Sequence, residues 1–143
     1  MQVKDVMTRE VEVINPNDTI EDAAAKMRAL DVGPLPVCDG DQLKGMVTDR
    51  DITVRATAVG KDPAKTPVTE VMTPDVLYVF EDQDVKEAAK MMEEHQIRRL
   101  VVLNRDKRLV GIVSLGDLAV DTSDEKLSGR VLEEVSEPSQ PKR

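Results

Sequence analysis

The chain repeats itself. Val6-Met7-Thr8 returns as Val71-Met72-Thr73, Ala23-Ala24 as Ala88-Ala89, Met27 as Met92, and Leu35 and Val37 as Leu100 and Val102, each 65 positions later. Gly45-Met46-Val47-Thr48-Asp49-Arg50-Asp51 returns as Gly111-Ile112-Val113-Ser114-Leu115-Gly116-Asp117 at an offset of 66, so one residue has entered the preceding turn. Separate landmarks that hold one offset mark a tandem duplication of roughly sixty-residue units. Two copies are too few for a solenoid. A unit this small has too little core to stand alone. The expectation is a pseudo-twofold pair whose apolar faces are buried together.

Each unit reads β-α-β-β-α, an α/β (α+β) pattern. Residues 11–14 alternate like a short strand and stop at Asn15-Pro16-Asn17-Asp18. Thr19 with Asp22 spells a capping box. Ile20, Ala23, Ala24, Met27 and Leu30 then fall on one helical face. Residues 35–38 and 43–48 read as strands about the turn Asp39-Gly40-Asp41, and 49–59 as a second helix. The second copy gives a strand at 76–80 and a helix capped by Asp84 with Glu87, its face made by Val85, Ala88, Ala89 and Met92. Strands at 99–103 and 109–114 and a last helix from Leu115 follow. Residues 1–60 form the first unit, 61–68 a Gly- and Pro-punctuated linker, and 69–122 the second unit. Residues 123–143 form a tail, in which 127–135 have the pattern of a short helix and the Ser/Pro/Lys-rich end that of disorder.

Composition narrows the function. The chain has 143 residues, is 40% hydrophobic, and has one Tyr, one Phe and no Trp, so its cores are aliphatic. A net charge of −8 opposes nonspecific binding to nucleic acid or anionic membranes, which needs a basic face. Base stacking on an aromatic platform is equally unsupported. No apolar run is long enough to cross a bilayer. Met1-Gln2-Val3-Lys4-Asp5 has no signal-peptide character, and a single cysteine, Cys38, cannot close an internal disulfide. A soluble cytoplasmic protein is expected.

The chemistry concentrates where strand turns into helix. In both copies a Gly opens an apolar run, Thr48 or Ser114 closes it, and Asp51 or Asp117 follows three residues on. A hydroxyl at a helix N-terminus suits a phosphate, because exposed N–H groups and the helix dipole favour an anion. The Asp one turn later can accept hydrogen bonds from a sugar diol. The same residues also spell capping boxes, and both readings stand.

Taken together, Val-Met-Thr, the capped helix with paired alanines and Met, Leu35-Pro36-Val37 and the duplicated Gly-x-Val-Thr-x-x-Asp resemble a tandem CBS-domain pair, the Bateman module, over about residues 3–120. Gly45 to Ile52 and Met92-Glu93-Glu94-His95-Gln96-Ile97-Arg98-Arg99 are similar to small stand-alone bacterial CBS proteins of the hypoxic-response type. The resemblance implies regulatory binding of an adenosyl ligand (AMP, ADP, ATP or S-adenosylmethionine) in clefts between units, with no required cofactor. Thr48 and Ser114 would face phosphate, Asp51 and Asp117 ribose. Main-chain groups at Val13 and Tyr78 would hold the adenine edge, and residues around Pro36 and Val101 would line the base pocket. It also implies a homodimer, and an effector protein of unknown identity acted on in trans.

The two copies differ in charge. Arg98-Arg99 precede a strand where the first unit has Gly33-Pro34, while Arg50 and Arg55 lie on the first unit's second helix. An acidic protein needs local cations to hold a polyphosphate, so Arg50, Arg98 and Arg99 join the candidate site, against the alternative of solvated surface arginines. Cys38 and His95 are single residues of their kind and make no zinc site by themselves. No nucleophile triad or P-loop is spelled, so an enzyme is not expected. The competing function is a ligand-independent dimerisation or interaction module.

Overall fold

Thr19 starts helix α1, Ile20–Leu30, as its spelling requires. Its hydroxyl accepts from the Asp22 N–H and the Asp22 carboxylate accepts from the Thr19 N–H, both at 3.1 Å. Ile20, Ala23 and Met27 are buried, whereas Ala24 and Leu30, expected on the same face, are exposed. The buried stripe of α1 is thus narrower at both edges than the sequence suggests. Asp31 ends the helix in the left-handed region at φ 55°. Strands β1, Pro34–Asp39, and β2, Gln42–Thr48, pair antiparallel. Helix α2, Asp49–Arg55, gives way to a 3-10 turn at Thr57–Val59, where one helix to residue 59 was expected. The β-branched residues Ile52, Thr53, Val54 and Thr57 lower its helix propensity.

The computed structural model describes residues 1–121, so the tail at 123–143, with its expected helix at 127–135, lies outside the described residues. The described chain forms two bodies. One is Glu12–Val76 with Lys107–Leu109; the other is Met1–Val11 with Leu77–Asp106 and the residues from Val110 onward. The core of the 12–76 body gathers Ile14, Ile20, Met27, Leu35, Val37 and Val47 with Val68 and Val71. Burial of each such aliphatic side chain stabilises by about 1.5–3 kcal/mol.

In the 77–121 body, β3, Tyr78–Phe80, runs parallel to β4, Arg99–Leu103, and β5, Leu109–Ser114, completes the sheet in the order β3-β4-β5. Helix α3, Val85–His95, buries Val85, Ala88, Ala89 and Met92 as expected. Asp84 caps it through the Lys86 N–H at 2.8 Å, but Glu87 takes the Gln83 side-chain amide at 2.7 Å instead of closing a box. Helix α4, Leu115–Asp121, follows β5 directly. The mixed α/β layout matches the expected class.

Two expected strands are shorter than their pattern. Residues 11–14 contribute one parallel bridge, Ile14 to Val37, and the strand at 76–80 begins at Tyr78. The segment 61–68, expected as a linker, is built into its body. Thr66 and Val68 are buried, the Ile20 N–H donates to the Thr66 carbonyl, and the Val68 N–H donates to the Asp18 carbonyl, both at 2.9 Å.

The Val-Met-Thr segments occupy the places that the repeat alone does not reveal. Thr73 and Met46 exchange backbone hydrogen bonds at 2.8 and 2.9 Å on the edge of β2. Thr8 and Ile112 do the same at 2.8 and 3.0 Å on the edge of β5. Residues 1–11 open the first sequence repeat yet belong to the body of the second. The Val3 N–H donates to the Gln83 carbonyl at 2.8 Å, and Val3, Val6 and Met7 join the core of α3. Each segment satisfies the backbone groups of an otherwise open strand edge.

Candidate functional site

Both strand-to-helix turns have the same geometry. The Thr48 hydroxyl accepts from the Asp51 N–H and the Asp51 carboxylate from the Thr48 N–H, each at 3.0 Å. The Ser114 hydroxyl accepts from the Asp117 N–H at 3.0 Å and the Asp117 carboxylate from the Ser114 N–H at 2.8 Å. Capping is therefore an actual role of all four residues. It uses one oxygen, Oδ2, of each carboxylate. Asp51 Oδ1 faces the Arg55 guanidinium at 3.9 Å, and the Asp51 side chain is 15% exposed. Arg55 is spent on structure, since it also donates to the Val71 carbonyl at 3.3 Å.

The residues just before β1 and β4 are equally matched. The Asp49 N–H donates to the Gly33 carbonyl at 3.0 Å, and the Leu115 N–H to the Arg98 carbonyl at 2.8 Å. Arg98 is thus held at the first residue of α4, next to Ser114. Arg98 and Arg99 are exposed, and among the described residues no hydrogen bond or ion pair engages either side chain. Arg50 is exposed at the start of α2. At Gly33 a Cβ would stand 3.2 Å from the Asp49 carboxylate. The 12–76 body therefore presents an acidic group where the 77–121 body presents arginine.

Pro36 and Val101 are both buried. Tyr78 partners Val101 in the β3–β4 ladder, and its ring meets Phe80 edge-on at 5.5 Å. Arg105 covers that Phe80 ring at 4.1 Å and donates twice to Asp82, which holds the Asp82 carboxyl below the usual range. Val13 differs from expectation in one respect: its carbonyl already accepts a 2.8 Å hydrogen bond from the Lys26 ammonium. Sequence reasoning passed over Lys26 and Asp49. The signal was in the repeat, because their counterparts are Met91 and Leu115.

A separate open cavity of about 320 Å³ in the 12–76 body is lined by Asn15, Asn17, Asp39, Lys44 and Thr69, among others, and touches no candidate residue. Among the described residues no cluster of three or more His, Cys, Asp or Glu side chains is placed to hold a metal. Among them, too, no helix is long and apolar enough to cross a membrane.

The CBS-domain family model matches residues 3–56 and 68–120. CBS domain-containing protein YhcV of Bacillus subtilis is 44% identical over 134 residues, 94% of each chain. The crystal structure of Hypoxic Response Protein I with two coordinated zinc ions aligns with a TM-score of 0.75 at 39% identity, over 83% of this chain and 97% of that one. The crystal structure of CBSX2 in complex with AMP aligns with a TM-score of 0.74 at 28% identity, over 87% and 98%.

Proposed function

This chain belongs to the CBS-domain family as a tandem pair, and on that footing we propose that it is a regulatory sensor of an adenosyl ligand that acts on a partner in trans. The observation that carries the reading is the duplicated turn itself. Thr48 with Asp51 and Ser114 with Asp117 set a hydroxyl, helix N–H groups and a carboxylate together twice, with the same spacing and the same hydrogen bonds. Such a turn supplies phosphate donors and a ribose acceptor in one place. The AMP bound to CBSX2, a structure of the same fold, supports the ligand class. Pro36 and Val101 line the base, main-chain groups at Val13 and Tyr78 read its edge, and Arg98, Arg99 and Arg50 meet phosphate. The protein performs no chemistry on the ligand in this reading. It works as a homodimer in the cytoplasm.

A thermal-shift panel of AMP, ADP, ATP, NAD and S-adenosylmethionine tests the proposal. A ligand of the native state raises the melting temperature by mass action, by an amount that grows with its concentration. A flat response to the whole panel, matched by no heat in calorimetry, returns the chain to a ligand-independent interaction module.

A further inference from the structure

The Ile14 N–H donates to the Pro36 carbonyl at 3.0 Å, and the Ile14 carbonyl accepts from the Cys38 N–H at 2.9 Å, so both backbone groups of Ile14 face β1. In an extended chain the neighbouring residue points its groups the other way. Val13 therefore turns its carbonyl to the open side, and there the Lys26 ammonium takes it at 2.8 Å. Glu12 braces the same ammonium at 3.7 Å, and the lysine side chain is 35% exposed. The repeat sets this arrangement against a different one. Glu12 corresponds to Leu77, Val13 to Tyr78 and Lys26 to Met91. An ion pair over one main-chain edge is replaced by two apolar side chains in the other copy, where Met91 packs against the core around α3.

We propose that Lys26 makes the two copies read different purines. The inference rests on the proposed function, in which Val13 and Tyr78 lie at the base edge. An adenine base offers its 6-amino group to a main-chain carbonyl. Tyr78 has no lysine at the matching helical position to compete for that role. At Val13 the carbonyl is occupied, and what the edge presents is a charged donor. A base with an acceptor at the same position, a 6-oxopurine, accepts from the ammonium directly. An adenine must first displace it, and a hydrogen bond to a charged group lost in this way weakens binding roughly tenfold. Lys26 is a specificity-determining residue of the 12–76 body, and AMP belongs to the other body.

The full chain carrying Asp117→Ala, which disables the ribose carboxylate of the 77–121 body, is titrated with AMP and with IMP by calorimetry. The same background is then tested with Lys26→Met, the residue of the other copy, and with Lys26→Arg, which keeps a charged donor. IMP is expected to bind more tightly than AMP in the Asp117→Ala chain. Lys26→Met is expected to shift that ratio toward AMP by about tenfold, and Lys26→Arg to keep it. Lys26→Met against wild type, without the Asp117 change, carries the same comparison where Asp117→Ala does not fold. An unchanged AMP-to-IMP ratio in Lys26→Met overturns the assignment of Lys26 and leaves the adenosyl-sensor reading in place. So does an Asp117→Ala chain that binds neither nucleotide while wild type binds AMP. Wild type binding neither nucleotide overturns both.

Discussion

The Thr8 carbonyl oxygen lies 2.7 Å from where a Cβ would stand on Gly111. Gly45 has the same relation to the Thr73 carbonyl, also at 2.7 Å. The obstructing atom is backbone in both cases, so it cannot swing aside like the nearby Met7 and Met72 sulfurs. Gly111→Ala and Gly45→Ala are each expected to destabilise the fold by about 1–3 kcal/mol, the range of overpacking in a dense interior. Urea unfolding of each variant measures this, and a midpoint equal to wild type would mean that the Val-Met-Thr segments are not docked as described.

Asp51→Ala and Asp117→Ala each remove a ribose acceptor and half of a capping box. Nucleotide affinity is expected to fall by about 1.5–3 kcal/mol per site, the contribution of hydrogen bonds to a charged group. Stability is expected to fall by about 1 kcal/mol, the usual cost of a lost cap. Titration and thermal melting on the same samples separate the two. Variants that melt early but bind like wild type would leave these residues as caps alone.

Arg98→Ala with Arg99→Ala is expected to weaken ATP more than adenosine, because the arginines sit beside the Ser114 turn and a net charge of −8 gives an anion no general attraction to compensate. The deficit shrinks as salt rises and screens the contact. Equal losses for ATP and adenosine would assign the pair to pocket shape rather than to phosphate.

Cys38 is 2% exposed, and burial, with a smaller contribution from the Asp41 charge, pushes its thiol up from 9.0 to about 11. The folded state keeps the proton that the unfolded chain releases. Stability from this group is therefore intact below pH 9 and is lost as pH rises toward 11. The loss is on the order of 3 kcal/mol. Unfolding free energies of wild type and Cys38→Ala, followed across that window, should converge as wild type loses this increment. Parallel curves would show a thiol with an ordinary ionisation.

A homodimer is expected at micromolar concentration. Leu30, Val32, Val54 and Val59 in the 12–76 body are large apolar residues left 40 to 66% exposed. Sedimentation velocity on wild type gives the state directly, and a monomer across the accessible concentration range would count against it.

Much of this was legible in the sequence because local chemistry dictates it. Thr19-x-x-Asp22, Thr48-x-x-Asp51 and Ser114-x-x-Asp117 spell caps, and each forms the box it spells. Gly45 and Gly111 were legible as the openers of each apolar run, but not the Thr73 and Thr8 carbonyls that pack against them. The ownership of residues 1–11 was not legible, because an offset of 65 is the same whichever body a repeated segment joins. Ala24 and Ala89 are identical letters in matching helices, one exposed and one buried, since helix rotation against a sheet is decided by packing. Lys26 drew no reading from the sequence, because its partners, the Val13 carbonyl and Glu12, are brought to it by the fold.

The placement of the first eleven residues has a consequence for inheritance. A gene split anywhere from codon 61 to codon 67 yields a leading piece without Val68 and Val71 and a trailing piece without Val3, Val6 and Met7, so each lacks members of a core it must build. Neither piece is an exchangeable cassette. A recombinant that carries one sequence repeat without the other is expected to leave two cores incomplete at once.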